Sequence, residues 1–331
     1  MSATVLDADS TSSGFRLVRG LRIGLMPALL VLALVVFSLL SDQFLNPSNL
    51  KDIVVNSGDL AMLAAGMTLV ILLGGIDISA GPMLGVIAWI IASAMGAGID
   101  PLLVVGLAML GGITLGLVNG SIVVFGRVAP IIATLGTAAI FQSVLFVLWA
   151  SRDRFSEPVL PIFSGVTVGG FPILIIPVLI VYATLAYVLK RRRFGLHIYA
   201  VGNDAEGARL LGVSPNKVLL LAYALMGALT GLGALFFIGR VGVVQANSGV
   251  DMSIAAIAAV VVGGTSILGG QGGVIRTLGG LLFIAVLQNG VVLAGVPSLW
   301  TGAIVGVAVA LAVSVDVVTG RFIDRKTGVA K

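Results

Sequence analysis

The chain has 331 residues, of which 58% are hydrophobic and only 10% charged, and its mean hydropathy is +1.16. A soluble domain is about half apolar and a quarter charged, so water is not the solvent for most of this protein. One histidine and no cysteine exclude disulfides, thiolate chemistry and His/Cys metal sites, and the net charge of +5 is carried by basic residues lying between apolar runs, a topology signal and not a nucleic-acid one.

In chain order, Met1 to Phe15 is small, polar and acidic, and residues 1–22, with Arg16, Arg19 and Arg22, read as a disordered cytoplasmic leader without the pattern of a cleaved signal peptide. Stretches of membrane-spanning length and apolarity follow at 23–41, 56–74, 82–98, 102–125, 130–149, 172–189, 217–239, 252–268, 275–294 and 298–318, ten in all. They are too long and too unalternating for barrel strands, which leaves helices to satisfy the backbone in lipid. With the N-terminus inside, fifteen of the 19 Lys and Arg residues fall in inside segments, and only Lys51, Arg152, Arg154 and Arg240 fall outside. That asymmetry predicts both termini in the cytoplasm. The expected fold is an all-α polytopic membrane bundle of about ten transmembrane helices with two glycine-rich breaks. Residues 23–320 form the membrane domain and 321–331 a cytoplasmic tail.

Two loops are long. Ser151 to Phe171 carries Pro158, Pro161, Gly165, Gly169 and Gly170 and suits a turn-rich external surface; residues 190–216 form the longest cytoplasmic segment. The 45 glycines are spread through the spans, where small residues let membrane helices approach closely. Ala64 to Gly75 and Ala255 to Gly264 echo each other weakly, as repeats in two-halved transporters do.

The first break, Gly74-Gly75-Ile76-Asp77-Ile78-Ser79-Ala80-Gly81-Pro82, interrupts two apolar stretches. Asp77 or Ser79 could cap the next helix and Pro82 suits its first turn, while an acid near membrane depth also suits a polar wall or hinge of a passage. In the second, Gly263 to Gly273, six of eleven residues are glycine, yet no lysine follows in a Walker pattern, so the chain has no nucleotide-binding loop of its own. Asn119, Gln142, Gln288 and Asn289 sit within apolar spans, where they can bond across helices or line a hydrophilic path; Trp89, Trp149 and Trp300 are read as interfacial, near span ends. Phe194 to Val213 breaks at Gly202, offers Asn203 or Asp204 as an N-cap, puts Glu206 in the first turn, and presents Ala208, Leu210 and Leu211 as an apolar face. A short amphipathic helix outside the membrane fits a docking handle.

Several stretches resemble the ribose/xylose/galactoside-type permeases of bacterial ABC importers, a group that includes autoinducer-2 permeases. They are GMTLVILLGGIDISAG (66–81), GLVNG (116–120), APIIATLGT (129–137), RRRFGLHIYAVGNDAEGARLLGV (191–213) and AAVVVGGTSILGGQGGVIRTLGG (258–280). The resemblance implies a dimeric transmembrane unit in the bacterial inner membrane, homo- or heterodimeric. Cytoplasmic ATPase subunits would hold the ATP and Mg, and a periplasmic sugar-binding protein would deliver a monosaccharide or similar solute. This chain would bind no cofactor, hold no metal and catalyse nothing. The segment Gly202 to Val213 would be the ATPase-docking coupling helix, with Gly202, Asn203, Asp204, Glu206, Arg209 and Leu210. Pathway or hinge candidates are Gly75, Asp77, Ser79, Asn119, Thr134, Gly264, Thr265 and Asn289. Ile78, Ala80, Ala129 and Arg276 depart from the usual family residues, and Arg276 puts a charge at a membrane boundary.

An ion-coupled secondary transporter is the alternative, but it wants paired ionisable groups mid-span, and apart from Asp77 and Asp316 the acids lie in loops or at span ends. An intramembrane enzyme lacks a constellation, since His197 lies in the cytoplasmic loop.

Overall fold

A computed structural model describes residues 26–150, 152–297, 300, 302–307, 310 and 314. The leader, the tail and most of the predicted last span lie outside the described residues, as do the first residues of the predicted first span. The described part is helical throughout its core: α1 Met26–Leu40, α2 Pro47–Asn56, α3 Gly58–Leu72, α4 Ala80–Gly96, α5 Pro101–Phe125, α6 Pro130–Trp149, α7 Ile175–Arg191, α8 Arg193–Asn203, α9 Ala205–Leu210, α10 Pro215–Val241, α11 Met252–Val262 and α12 Val274–Leu293. Proline opens α2, α5, α6 and α10, where a missing N–H costs nothing. Asn46 and Asp100 cap α2 and α5 through Ser48 N and Leu102 N.

Among the described residues α5, α6, α10 and α12 are each long and apolar enough to cross a bilayer; α2 and α3 meet the same criterion together, bent by 46° at Ser57. The expected span 252–268 is corrected: its helix stops at Val262, after 11 residues, because Gly263 and Gly264 follow and Gly264 takes φ +85°. The strands are two-residue pieces. β1 (Arg154–Phe155) pairs antiparallel with β4 (Val243–Val244), and β2 (Thr167–Val168) with β3 (Phe171–Pro172).

These ribbons mark one end of the bundle, since α10 leads straight into β4 and α7 starts just after β3. The other end, reached after the 17 residues of α7, carries Lys190, Arg191, Arg192 and Arg193 together with α8 and α9. We call them the ribbon end and the basic end. At the heart stands α3, every residue of which is buried. It begins at the ribbon end, where Gly58 packs on Phe236, and finishes at the basic end, where Leu72 meets Gly202. Helices α5 and α6 lie on the outside of the bundle, their most apolar windows only 22% and 28% buried.

The most extensive helix pairing is the antiparallel crossing of α5 and α10. A methyl on Gly112 would strike the Gly227 carbonyl and one on Gly227 the Gly112 carbonyl; Gly116 sits likewise against Tyr223 and Gly231 against Ala108. Two small-xxx-small pairs, Gly112/Gly116 and Gly227/Gly231, thus let the backbones touch, the packing that drives association where lipid is as apolar as the helices.

Two short helices organise the middle. The chain leaves α10 at the ribbon end, dips through 242–251, and starts α11 against the start of α4: Gly81 and Gly249 approach backbone to backbone, and Ser248 packs on Gly85. From that meeting point α11 runs about 16 Å to the basic end and α4 about 25 Å toward the ribbon end. Neither alone crosses a hydrocarbon core of about 30 Å.

Candidate functional site

The meeting point is polar and closed. Asp77 Oδ1 accepts from Ser79 N at 3.0 Å and from Ser79 Oγ at 2.6 Å. Asn119, reaching in from α5, donates Nδ2 to Ser79 Oγ at 2.7 Å and to Asp77 Oδ2 at 3.4 Å. Thr134 Oγ1 on α6 donates to the Ile76 carbonyl at 2.9 Å. Asp77, Ser79, Asn119 and Thr134 are all wholly buried. Among the described residues no basic side chain pairs with Asp77. Its carboxylate is met instead by these donors and by the first turn of α4, where the helix dipole favours an anion. Neither capping candidate bonds an amide within α4: Ser79 stands at the N-cap position without a side-chain cap bond, and Asp77 bonds Ser79 just before the helix.

Ser253, which sequence reasoning passed over, completes this site. From the first turn of α11 its Oγ donates to the Ile78 carbonyl at 2.7 Å and accepts from Gly81 N at 2.7 Å, so one hydroxyl ties the two short helices together. A lone serine beginning an apolar run is the only local trace of it. Tyr223 Oη and Asn119 Oδ1 are buried nearby without a partner among the described residues.

A second assembly sits at the basic end, where three segments meet. The first break follows α3, with Gly74 at φ +76° against the Leu268 carbonyl. The second break folds back so that Gly270 N donates to the Leu72 carbonyl at 2.9 Å. Into this corner goes the last turn of α8: Gly202 lies against Leu72 O and Gly270 N, and Asn203 against Gly270. Tyr199 Oη, one turn earlier, donates to the Gly272 carbonyl at 3.0 Å. Burial raises the pKa of this phenol despite the lowering influence of Arg276, so it stays a donor at neutral pH. Thr265, also buried, staples the second loop by accepting from Gly273 N at 3.3 Å.

The predicted break at Gly202 is corrected, since Gly202 and Asn203 finish α8 and the chain turns at Asp204. Asp204 Oδ1 caps α9 through Glu206 N at 3.1 Å and Gly207 N at 3.0 Å. Glu206 and Arg209 pair at 2.7 Å in solvent, and Leu210 is 80% exposed.

The remaining predicted residues are scattered. Gly75 is buried beside Val70 and Pro130, between the two assemblies, and Gly264 faces open space. Asn289 belongs to neither; it exchanges hydrogen bonds of 3.0 and 2.9 Å with Asn49, joining α12 to α2. Gln142 donates to the Ala246 carbonyl, holding the dipping segment. Trp89 is not at a span end: it lies in the middle of α4 under Arg154. Also unforeseen is the pairing of Arg240, at the end of α10, with the buried Asp59 at the start of α3, at 2.5 Å.

The family model described as branched-chain amino acid transport system / permease component matches residues 49–314. The chain is 37% identical over 295 residues to the ribose import permease protein of Escherichia coli strain K12, covering 87% of this chain and 91% of that one. It is 32% identical to the ribose import permease protein of Bacillus subtilis strain 168, over 87% and 90% of the two chains. To the autoinducer 2 import system permease protein of Photorhabdus luminescens it is 30% identical, over 84% and 85%. No solved structure matches it.

Proposed function

This chain belongs to the permease family of ATP-driven importers, and from that premise we propose that it forms the passage for ribose or a similar small polyhydroxylated solute. As a permease subunit it is a multi-pass protein of the bacterial inner membrane and a transport component, not an enzyme. Family membership sets aside the ion-coupled alternative. The observation that carries the reading is the family match across residues 49–314, which takes in both breaks and the α8–α9 segment.

In the proposed arrangement the basic end faces the cytoplasm and both termini lie there, consistent with the excess of Lys and Arg in its segments. Two permease chains pair, cytoplasmic ATPase subunits supply and spend the ATP, and a periplasmic binding protein delivers the sugar at the ribbon end. The α8–α9 segment is the coupling element, with Asp204, Glu206, Arg209 and Leu210 on the exposed knob and Gly202 and Asn203 at its seat. Gly202 touches both the end of α3 and the second break, so a push on α9 reaches both breaks through the last turn of α8. Such a push moves the bundle only as far as the ATPase binds its two states unequally.

Asp77, Ser79, Asn119 and Thr134 then act as the brace of a hinge more than as a wet wall, because all four are wholly buried, the first three are bonded to one another, and Thr134 holds the Ile76 carbonyl just before them. Gly75, Gly264 and Thr265 shape the flanking turns, and Asn289 anchors α12 on α2. The test is reconstitution with the ATPase and binding protein. Uptake of radiolabelled ribose is expected to require ATP and both partners and to survive collapse of ion gradients. Uptake by this chain alone, or its loss with the gradients, would refute the reading.

A further inference from the structure

Three of the four most exposed large apolar side chains in the structure lie at the basic end: Leu268 at 90%, Leu211 at 84% and Leu210 at 80%. The fourth, Leu39 at 81%, stands on α1 beside other exposed apolar residues such as Leu40 and Val36, as a lipid-facing helix does. The three leucines are set differently. Leu210 and Leu211 end α9 next to the solvent-exposed Glu206–Arg209 pair, and Leu268 tips a loop between Ile267, which packs inward on the core, and the polar run Gly269-Gly270-Gln271. Isolated leucines among exposed polar groups are not bilayer surface, since a lipid-facing patch is continuous.

The two places are also neighbours. Gly270, two residues past Leu268, lies against Asn203, and Asp204 immediately begins the six-residue α9, which is about 9 Å long. We infer that Leu268 forms one docking surface with Leu210 and Leu211, and that an ATPase subunit covers all three, so that the motor grips the second glycine break directly as well as the coupling element. The inference rests on the coupling role proposed above. The occupant follows from the chain's lack of a nucleotide-binding loop, from the basic residues at this end, and from continuity of Leu268 with α9. A motor bound to Leu268 would hold the loop whose Gly270 N is bonded to Leu72, and so would carry the end of α3 with it.

This chain has no cysteine, so within the permease only the introduced residue carries the label. Leu210→Cys and Leu268→Cys are made singly in the full importer complex and labelled with a maleimide photocrosslinker. Both are expected to trap the ATPase subunit, and Leu268→Asp is expected to weaken ATPase association about tenfold or more, the loss of one leucine's burial. Trapping from Leu210→Cys but lipid, a second permease or nothing from Leu268→Cys would overturn the inference and leave the coupling role standing. Failure of both to trap the ATPase would overturn the coupling role and the inference with it. Because Leu268 is exposed and the crosslink needs no activity, misfolding does not mimic either result.

Discussion

The Gly270 amide donates to the Leu72 carbonyl at 2.9 Å, joining the end of α3 to a loop almost two hundred residues downstream, and Gly202 fills the corner they make. This contact turns two separate helix breaks and the α8 terminus into one junction.

Gly202→Ala places a methyl on Leu72 O and Gly270 N, both backbone atoms that cannot turn aside. Overpacking of this kind costs about 1–3 kcal/mol. The expected result is a permease that still assembles with its ATPase but transports poorly for each ATP hydrolysed. Paired measurements of hydrolysis and uptake in proteoliposomes check this, and an unchanged ratio would count against the junction as a transmission point.

Ser253→Ala removes the bonds that tie α11 to Ile78 and to the first turn of α4, and Gly81 N is left buried with no acceptor. An unsatisfied buried donor costs about 1–3 kcal/mol. The melting temperature in detergent should fall accordingly, with Ser253→Cys between the wild type and the alanine variant, because a thiol is a weaker partner of similar shape.

Arg240→Ala strips the partner from Asp59, which is 1% exposed. Leaving a buried carboxylate uncompensated costs about 3 kcal/mol or more. Arg240→Ala should therefore destabilise more than the double change Asp59→Asn with Arg240→Ala. A double-mutant cycle followed by thermal unfolding gives the comparison; strictly additive losses would mean the pair contributes nothing.

Gly227→Leu forces α10 off α5, since even a methyl there meets the Gly112 carbonyl. Gly136→Leu, on a face of α6 where nothing lies within 4 Å, is the control. The first is expected to abolish monodisperse material on size-exclusion chromatography, and the second to leave the protomer's own packing intact.

Much of this fold was legible because its signals are local. Glycine density announced both breaks, and the apolar runs at 102–125 and 130–149 became α5 and α6 almost residue for residue. Asn203 and Asp204 are both legible as cap candidates because Glu206 and a small apolar face follow them, and the structure selects Asp204. What escaped is what acts at a distance. Ser253 meets Gly81 across 172 residues, Arg240 meets Asp59 across 181, and Asn49 meets Asn289 across 240, separations to which no sequence window extends. The shortness of α11 was hidden differently: Ile267 and Leu268 keep the run apolar past Gly263, so hydropathy saw one span where the backbone had already turned. Helix α2 was missed because ten residues with Lys51 and Asp52 in them look like a loop, although Asn46-Pro47 is a start signal.

The crossing of α5 and α10 leaves no side chain between the two backbones at Gly112 and Gly227. A seam of that kind has no rotamers to exchange and no second packing to visit. The two helices travel as a single strut, and any swing that opens the protein first to one side of the membrane and then to the other must pivot on the elements flanking it.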